Sequence, residues 1–149
     1  MSELATWLAA HRWEDWPPAD PAVHAPAAAA LGVRFPVDYR ELMLVTDGGT
    51  LIGPAEAITL WGVDELADRN ADELYAEALP EMLAVGENGG GGIYFYDPLD
   101  RIGRGAWALY WVSLGAASLR TAKYAGADLR GVCERVVGGV LFFDEPAVG

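Results

Sequence analysis

Cysteine is almost missing from this chain: Cys133 stands alone in 149 residues. No internal disulfide can form, and a reducing cytosol is the simplest home. Cys133 falls between Val132 and Glu134 in a helical pattern, which reads as a packed small hydrophobe rather than a nucleophile. Histidine is nearly as scarce. His11 and His24 have no second His or Cys at ligand spacing, so no zinc site is expected. Lysine occurs once and glutamine not at all. Ten basic residues face 22 acidic ones, for a formal net charge of −12. That balance argues against direct nucleic-acid binding, which uses a basic stripe to displace counterions. It suits a protein that meets a basic partner. No apolar run approaches the roughly 18 residues of a membrane span. The start, MSELATWLAAHRWEDW, lacks a basic stretch followed by an apolar core, so no signal peptide is read and a cytoplasmic location is expected.

Apolar residues are plentiful, at 52%, with six Trp, six Tyr and four Phe. This is enough for one packed core, and a single domain over 1–149 is expected. Ser2 suits the cap of a first helix over Glu3 to Arg12, with Leu4, Trp7, Leu8 and His11 on one face. Trp13, Trp16, Pro17 and Pro18 break that helix and read as an aromatic plug or a peptide-docking patch. Asp20-Pro21 opens a second helix that ends at Leu31-Gly32. Pro36 opens a third, with Tyr39, Leu42, Met43 and Thr46 on one face and Gly48 or Gly49 as its end. Ala57 to Trp61 reads as a strand. Asp64 to Leu79 reads as one long helix, with a buried seam of Ala67, Ala71, Leu74 and Ala78, stopped by Pro80. Met82 to Val85 and Ile93 to Tyr96 read as a hairpin turning at Asn88-Gly89. Trp107 to Ser113 is a further strand, and Asp128 to Val137 a last helix closed by Gly138-Gly139. Val140 to Phe143 adds an edge strand or packs as a tail.

Helices first, then strands with a helix among them, point to an α+β fold with an at least partly antiparallel central sheet flanked by helices. Its core is expected to draw on Tyr39, Leu42, Leu60, Leu74, Val85, Ile93, Leu109 and Trp111.

Chemistry is sparse. A phosphate loop at Gly89 to Gly92 should open a helix and carry a nearby lysine; here it opens onto a strand, with no lysine close by. A flexible hairpin loop is expected instead. No Gly-x-Ser-x-Gly elbow is present, and no cofactor, metal site or catalytic set is read. The charge pattern is more distinctive. Asp64, Glu65, Asp68, Asp72, Glu73, Glu77, Glu81, Glu87 and Asp97 are opposed within their segment only by Arg69. On a continuous helix Asp64, Asp68 and Asp72 would stack at i, i+4 and i+8, each like-charged pair costing about 0.2–0.5 kcal/mol.

One linear pattern resembles a known family. The stretch LGVRFPVDYRELMLVTDGG, from Leu31 to Gly49, is similar to the "lG..lP.dy..fl...nGg" segment of the SUKH superfamily, the group that includes the fungal cell-wall assembly regulators. Asp47 stands where the family often has Asn. The apolar Met82 to Gly86, the glycine run and Ile93-Tyr94-Phe95-Tyr96-Asp97 resemble a second family segment, and Ala117-Ser118-Leu119 a third. The resemblance spans roughly residues 20 to 137. It implies the SUKH fold and a non-catalytic binding protein. Many bacterial members are immunity proteins that neutralise a cognate toxin, often a nuclease or deaminase. The arginine-heavy, glutamine-free composition fits a GC-rich bacterial source. A housekeeping scaffold or regulatory module, as in the fungal relatives, is the alternative, and a small enzyme with an unrecognised site is the third. The partner expected is a basic protein toxin, with no nucleic acid and no membrane. Asp64, Asp68, Asp72, Glu73 and Glu77, with Asn88, Gly89 and Gly90 nearby, are the expected partner-binding residues.

Overall fold

The computed structural model describes residues 2–18 and 20–149. Its centre is a seven-stranded sheet in which every neighbouring pair is antiparallel and the strands lie in chain order. They are β1 (Trp13–Asp15), β2 (Gly49–Ile52), β3 (Ala57–Leu60), β4 (Leu83–Glu87), β5 (Gly92–Asp97), β6 (Ala108–Ser113) and β7 (Lys123–Gly126). Helices α1 (Glu3–Ala9), α2 (His24–Leu31) and α3 (Val37–Met43) precede or interrupt the first strands. Helices α4 (Val63–Asn70) and α5 (Glu73–Ala78) fill the β3–β4 connection, and α6 (Leu129–Val137) follows β7. The fold is α+β.

Register decides which side chains share a face. Tyr94 pairs with Trp111 and Tyr96 with Leu109, so these four point to one side. There Tyr96 donates to Asp38 at 3.2 Å, and the Tyr94 ring meets Phe142 edge-on. On the opposite side Phe95 stacks on Tyr110 with centroids 5.7 Å apart. Asp97 accepts from the Arg101 and Ile102 N–H groups at 2.9 and 2.8 Å, folding the β5–β6 loop over that end. Every residue of β5 is therefore buried, which explains its unbroken apolar run. Helix α6 runs from Gly126 of β7, against Val132, to Gly53 after β2, where a Cβ would lie 2.0 Å from the Val136 carbonyl oxygen. Its Leu129, Val132, Cys133 and Val136 are all buried.

Several expectations meet their residues. Ser2 caps α1 through the Ala5 N–H, Gly32 ends α2 at φ 68°, and Asp128 caps α6 through the Gly131 N–H at 2.8 Å. Asp20 caps a 3₁₀ turn over Pro21–Val23, which leads into α2. Others are corrected. The Trp13 break is an edge strand, β1, with Trp13 half-buried and Trp16 exposed. Strands β2 and β7 are short and lack a clear alternation, and so escaped the pattern. Helix α3 ends at Leu44, well before Gly48. The two glycines instead admit the chain between its neighbours: a Cβ at Gly48 would lie 2.5 Å from the Leu60 carbonyl oxygen of β3, and one at Gly49 2.6 Å from the Glu14 carbonyl oxygen of β1. Val140 to Phe143 is no strand; a 3₁₀ turn buries Phe142 and leaves Phe143 exposed.

The sheet's two edges differ. Beside β7, Val148 donates to the Ala122 carbonyl at 2.8 Å and Ala147 bridges to Lys123. The outer edge of β1 has no such cover among the described residues.

Candidate functional site

The linear pattern around Leu31 to Gly49 is architectural. The Asp38 carboxylate accepts the Tyr39 N–H at 2.8 Å, the Leu129 N–H at the start of α6 at 2.9 Å, and the Tyr96 hydroxyl. Burial pushes its pKa above the ordinary aspartate value, against those donors. The Tyr39 hydroxyl donates to the Trp61 carbonyl at 2.9 Å, and burial raises its pKa strongly. Asp47 accepts the Val63 N–H at 2.8 Å and so caps α4 from outside the helix. These residues join α3, α4, α6 and the sheet.

The acidic segment is not one helix. It breaks at Ala71-Asp72. Asp72 is extended (φ −71°, ψ 131°) and its carboxylate accepts the Leu74 N–H at 2.9 Å, capping α5. Asp is a weak helix former and a strong cap, so the local choice favours two helices. Asn70, at the end of α4, donates to the Ala84 carbonyl at 2.7 Å and accepts the Ala84 N–H at 2.8 Å. Its amide thus takes the place of a neighbouring strand beside β4. The expected seam fails with the break. Ala71 and Leu74 are exposed and Ala67 and Ala78 only half-buried, while Val63, Leu66, Tyr75 and Leu79 are buried. Leu74, expected in the core, is 47% exposed between Glu73 and Glu77.

Charge on this surface is uneven. Arg69 pairs with Glu65 at 3.1 Å and Glu87 at 3.8 Å, and its guanidinium lies 5.1 Å from the centre of a Trp61 ring. Arg101 pairs with Glu81 at 2.6 Å. Among the described residues Asp64, Asp68, Asp72, Glu73 and Glu77 have no basic partner, and all five are exposed. Asp64 and Asp68 share a face of α4, and Glu73 and Glu77 a face of α5. The three-aspartate stack does not form, because Asp72 belongs to the second helix.

The glycine turn is tied down rather than loose. Asn88 Oδ1 accepts the Gly90 N–H at 2.9 Å and the Gly92 N–H at 2.8 Å, while its Nδ2 donates to Glu56 at 3.0 Å. Gly89 and Gly91 take positive φ, at 79° and 92°. Gly92 is needed for space: a Cβ there would lie 2.2 Å from Trp111 Nε1. Asn88, Gly89 and Gly90 follow the last residue of β4, whereas Asn70 and hence α5 lie near its first. The two parts of the expected site connect through the Arg69–Glu87 pair.

A model of the SMI1/KNR4 family (SUKH-1) matches residues 18–125, well over half of the chain. The chain belongs to the SMI1/KNR4 family (SUKH-1). Among curated proteins none matches it. The match takes in the Leu31 to Gly49 stretch, the acidic helices and strands β2 to β6, and stops before α6.

In this SUKH-1 chain Cys133 and His11 serve packing. Cys133 is fully buried, and burial pushes its thiol up to about 12, far from a reactive thiolate. His11 stacks on Trp7 with centroids 4.1 Å apart. Among the described residues no cluster of His, Cys, Asp and Glu could hold a metal ion. No helix among them is long and apolar enough to cross a membrane. The feature that sequence patterning missed is Leu74. Its signal was the Asp72 cap, which rotates the following helix and turns Leu74 outward.

Proposed function

We propose that this SUKH-1 protein is a cytoplasmic bacterial immunity protein that neutralises a cognate toxin by binding it without catalysis. The toxin would be a basic nuclease or deaminase of the kind the family resemblance implies. The observation that carries the reading is the α4–α5 segment, where five exposed carboxylates without a basic partner lie on the two helices that carry the exposed Leu74. An apolar centre within a charged rim is the usual anatomy of a specific interface. An acidic surface complements a nucleic-acid-gripping protein and speeds encounter. Asp64, Asp68, Asp72, Glu73 and Glu77 are the five carboxylates, with Asn88, Gly89 and Gly90 reached across Arg69 and Glu87.

The test begins with the neighbouring reading frame. Its toxin domain is expressed with and without this chain, and growth rescue reports neutralisation. With purified partners, the double variant Asp68→Lys/Glu77→Lys is expected to slow association on the order of tenfold at low salt. The difference should shrink above about 0.1 M salt, where exposed charges are screened over about 10 Å. Neither side chain makes a hydrogen bond or ion pair among the described residues, so the fold should be retained. Growth rescue with unchanged association kinetics would move the binding surface elsewhere, to the sheet or to the region of Trp13 and Trp16. Absence of rescue would remove the immunity reading and favour the scaffold role.

A further inference from the structure

Between α2 and α3 lies a pocket of about 330 Å³, at the small end of the range for ligand sites. Its walls are the apolar Ala25, Ala28, Val33 and Phe35. Its polar groups are His24, Arg34 and Arg40. In a chain of net charge −12 this is a local reversal of sign, since two arginines line the pocket beside His24 and no carboxylate does. Neither Arg34 nor Arg40 forms an ion pair among the described residues; the five pairs use Arg69, Arg101, Arg130 and Arg135.

Two of the polar atoms are also unfinished. His24 Nε2 and Arg40 Nε are enclosed, and neither has a hydrogen-bond partner. Arg40 Nε, a donor by its chemistry, has lost its hydration and gained no acceptor in return. A guanidinium presents a planar fork that matches a carboxylate with two parallel hydrogen bonds. The apolar walls call for a hydrocarbon body behind the charged group. Phosphate meets the arginines but leaves those walls uncovered, and a neutral molecule leaves the arginines uncompensated.

We propose that this pocket binds a small organic monocarboxylate with an aliphatic or aromatic body about the size of benzoate. The site is separate from the α4–α5 surface and does not depend on the immunity reading. The test titrates the whole chain with benzoate, benzamide and inorganic phosphate, followed by calorimetry and by saturation-transfer NMR. Benzoate is expected to bind saturably, and benzamide and phosphate at least tenfold more weakly. Arg34→Gln, at an exposed position, should keep the circular dichroism spectrum and weaken benzoate at least fivefold. Arg40→Gln should weaken it further. No saturable benzoate signal up to 20 mM (about the weakest binding calorimetry resolves) would overturn the assignment. So would equal affinity for all three probes, or unchanged benzoate binding in a folded Arg34→Gln protein.

Discussion

Replacing Asp72 by alanine gives opposite signs under the two helix geometries considered for the acidic segment. In one continuous helix, Asp72 would repel Asp68 one turn away, and its removal would stabilise the protein by about 0.2–0.5 kcal/mol. In the structure Asp72 is extended and caps α5 through the Leu74 N–H at 2.9 Å. Losing such a cap costs about 0.5–2 kcal/mol. Helix α5 is only six residues long and carries Tyr75, packed edge-on to Trp61 at 6.2 Å. Fraying of α5 would therefore loosen a buried aromatic contact, which places the expected cost near the middle of that range, about 1 kcal/mol. For a chain of this size that is a fall of about 2–4 °C in Tm. Asp68→Ala is the control, expected to stay within about 0.5 kcal/mol because its side chain is exposed and unpaired. Asp72→Asn, which keeps the accepting oxygen and drops the charge, should retain most of the wild-type stability. Urea and thermal unfolding at pH 7 measure all three, with an unchanged urea slope confirming that stability alone has shifted. An Asp72→Ala protein as stable as wild type, or more so, refutes the cap and restores the single helix.

Three further outcomes follow from particular contacts. Asn70→Ala strands both the N–H and the carbonyl of buried Ala84 and should cost about 2–4 kcal/mol in urea unfolding, with Asn70→Asp, which accepts but cannot donate, in between. Cys133, fully buried with its thiol pushed up to about 12, should resist iodoacetamide at pH 8 in the native protein and label fully in 6 M guanidinium (above the midpoint of about 5 M that marks even hyperstable proteins), as read by intact mass. Asp38 has its pKa raised by burial, so the folded state holds its proton to higher pH than the unfolded chain. Its contribution to stability is fully present below the unfolded value of 3.8 and is lost as pH rises through the folded value. Asp38→Asn, which leaves one of the three donors facing an amide N–H₂, should be less stable throughout, with that descending component gone from urea midpoints measured upward from pH 4.

The α+β class, the antiparallel sheet and most helix ends were legible because their signals are local. Ser2, Gly32 and Asp128 act within one turn of themselves. The hairpin at Asn88 follows from its own residues. What escaped was set by partners far along the chain. Asp47 caps α4 sixteen residues on, and Asn70 pairs with Ala84 across a connection, so neither appears in a periodicity window. Strands β1, β2 and β7 are three or four residues long, too short for alternation to register, and are defined by their pairing with neighbouring strands. Leu74 was misread for a local reason: a cap at Asp72 resets the helical phase, and the expected seam was carried through it unbroken. The charges of the acidic segment were legible, since the sequence spells them out. Their pairing was not, because only the fold sets Arg69 against Glu87 and leaves Asp68 and Glu77 free.

The unequal edges of the sheet bear on how the protein avoids its own copies. An open strand edge is a template for another chain and a route to aggregation. Beside β7 that template is occupied by the chain's own Ala147 and Val148. What stays open is β1, three residues long, with Glu14 and Asp15 exposed on it. Two copies approaching edge to edge would bring these carboxylates together, along a ladder too short to compensate. Replacing them with neutral residues would remove the guard and leave Trp13 and Trp16 beside a bare edge. Colloidal stability should therefore fail there before the core does.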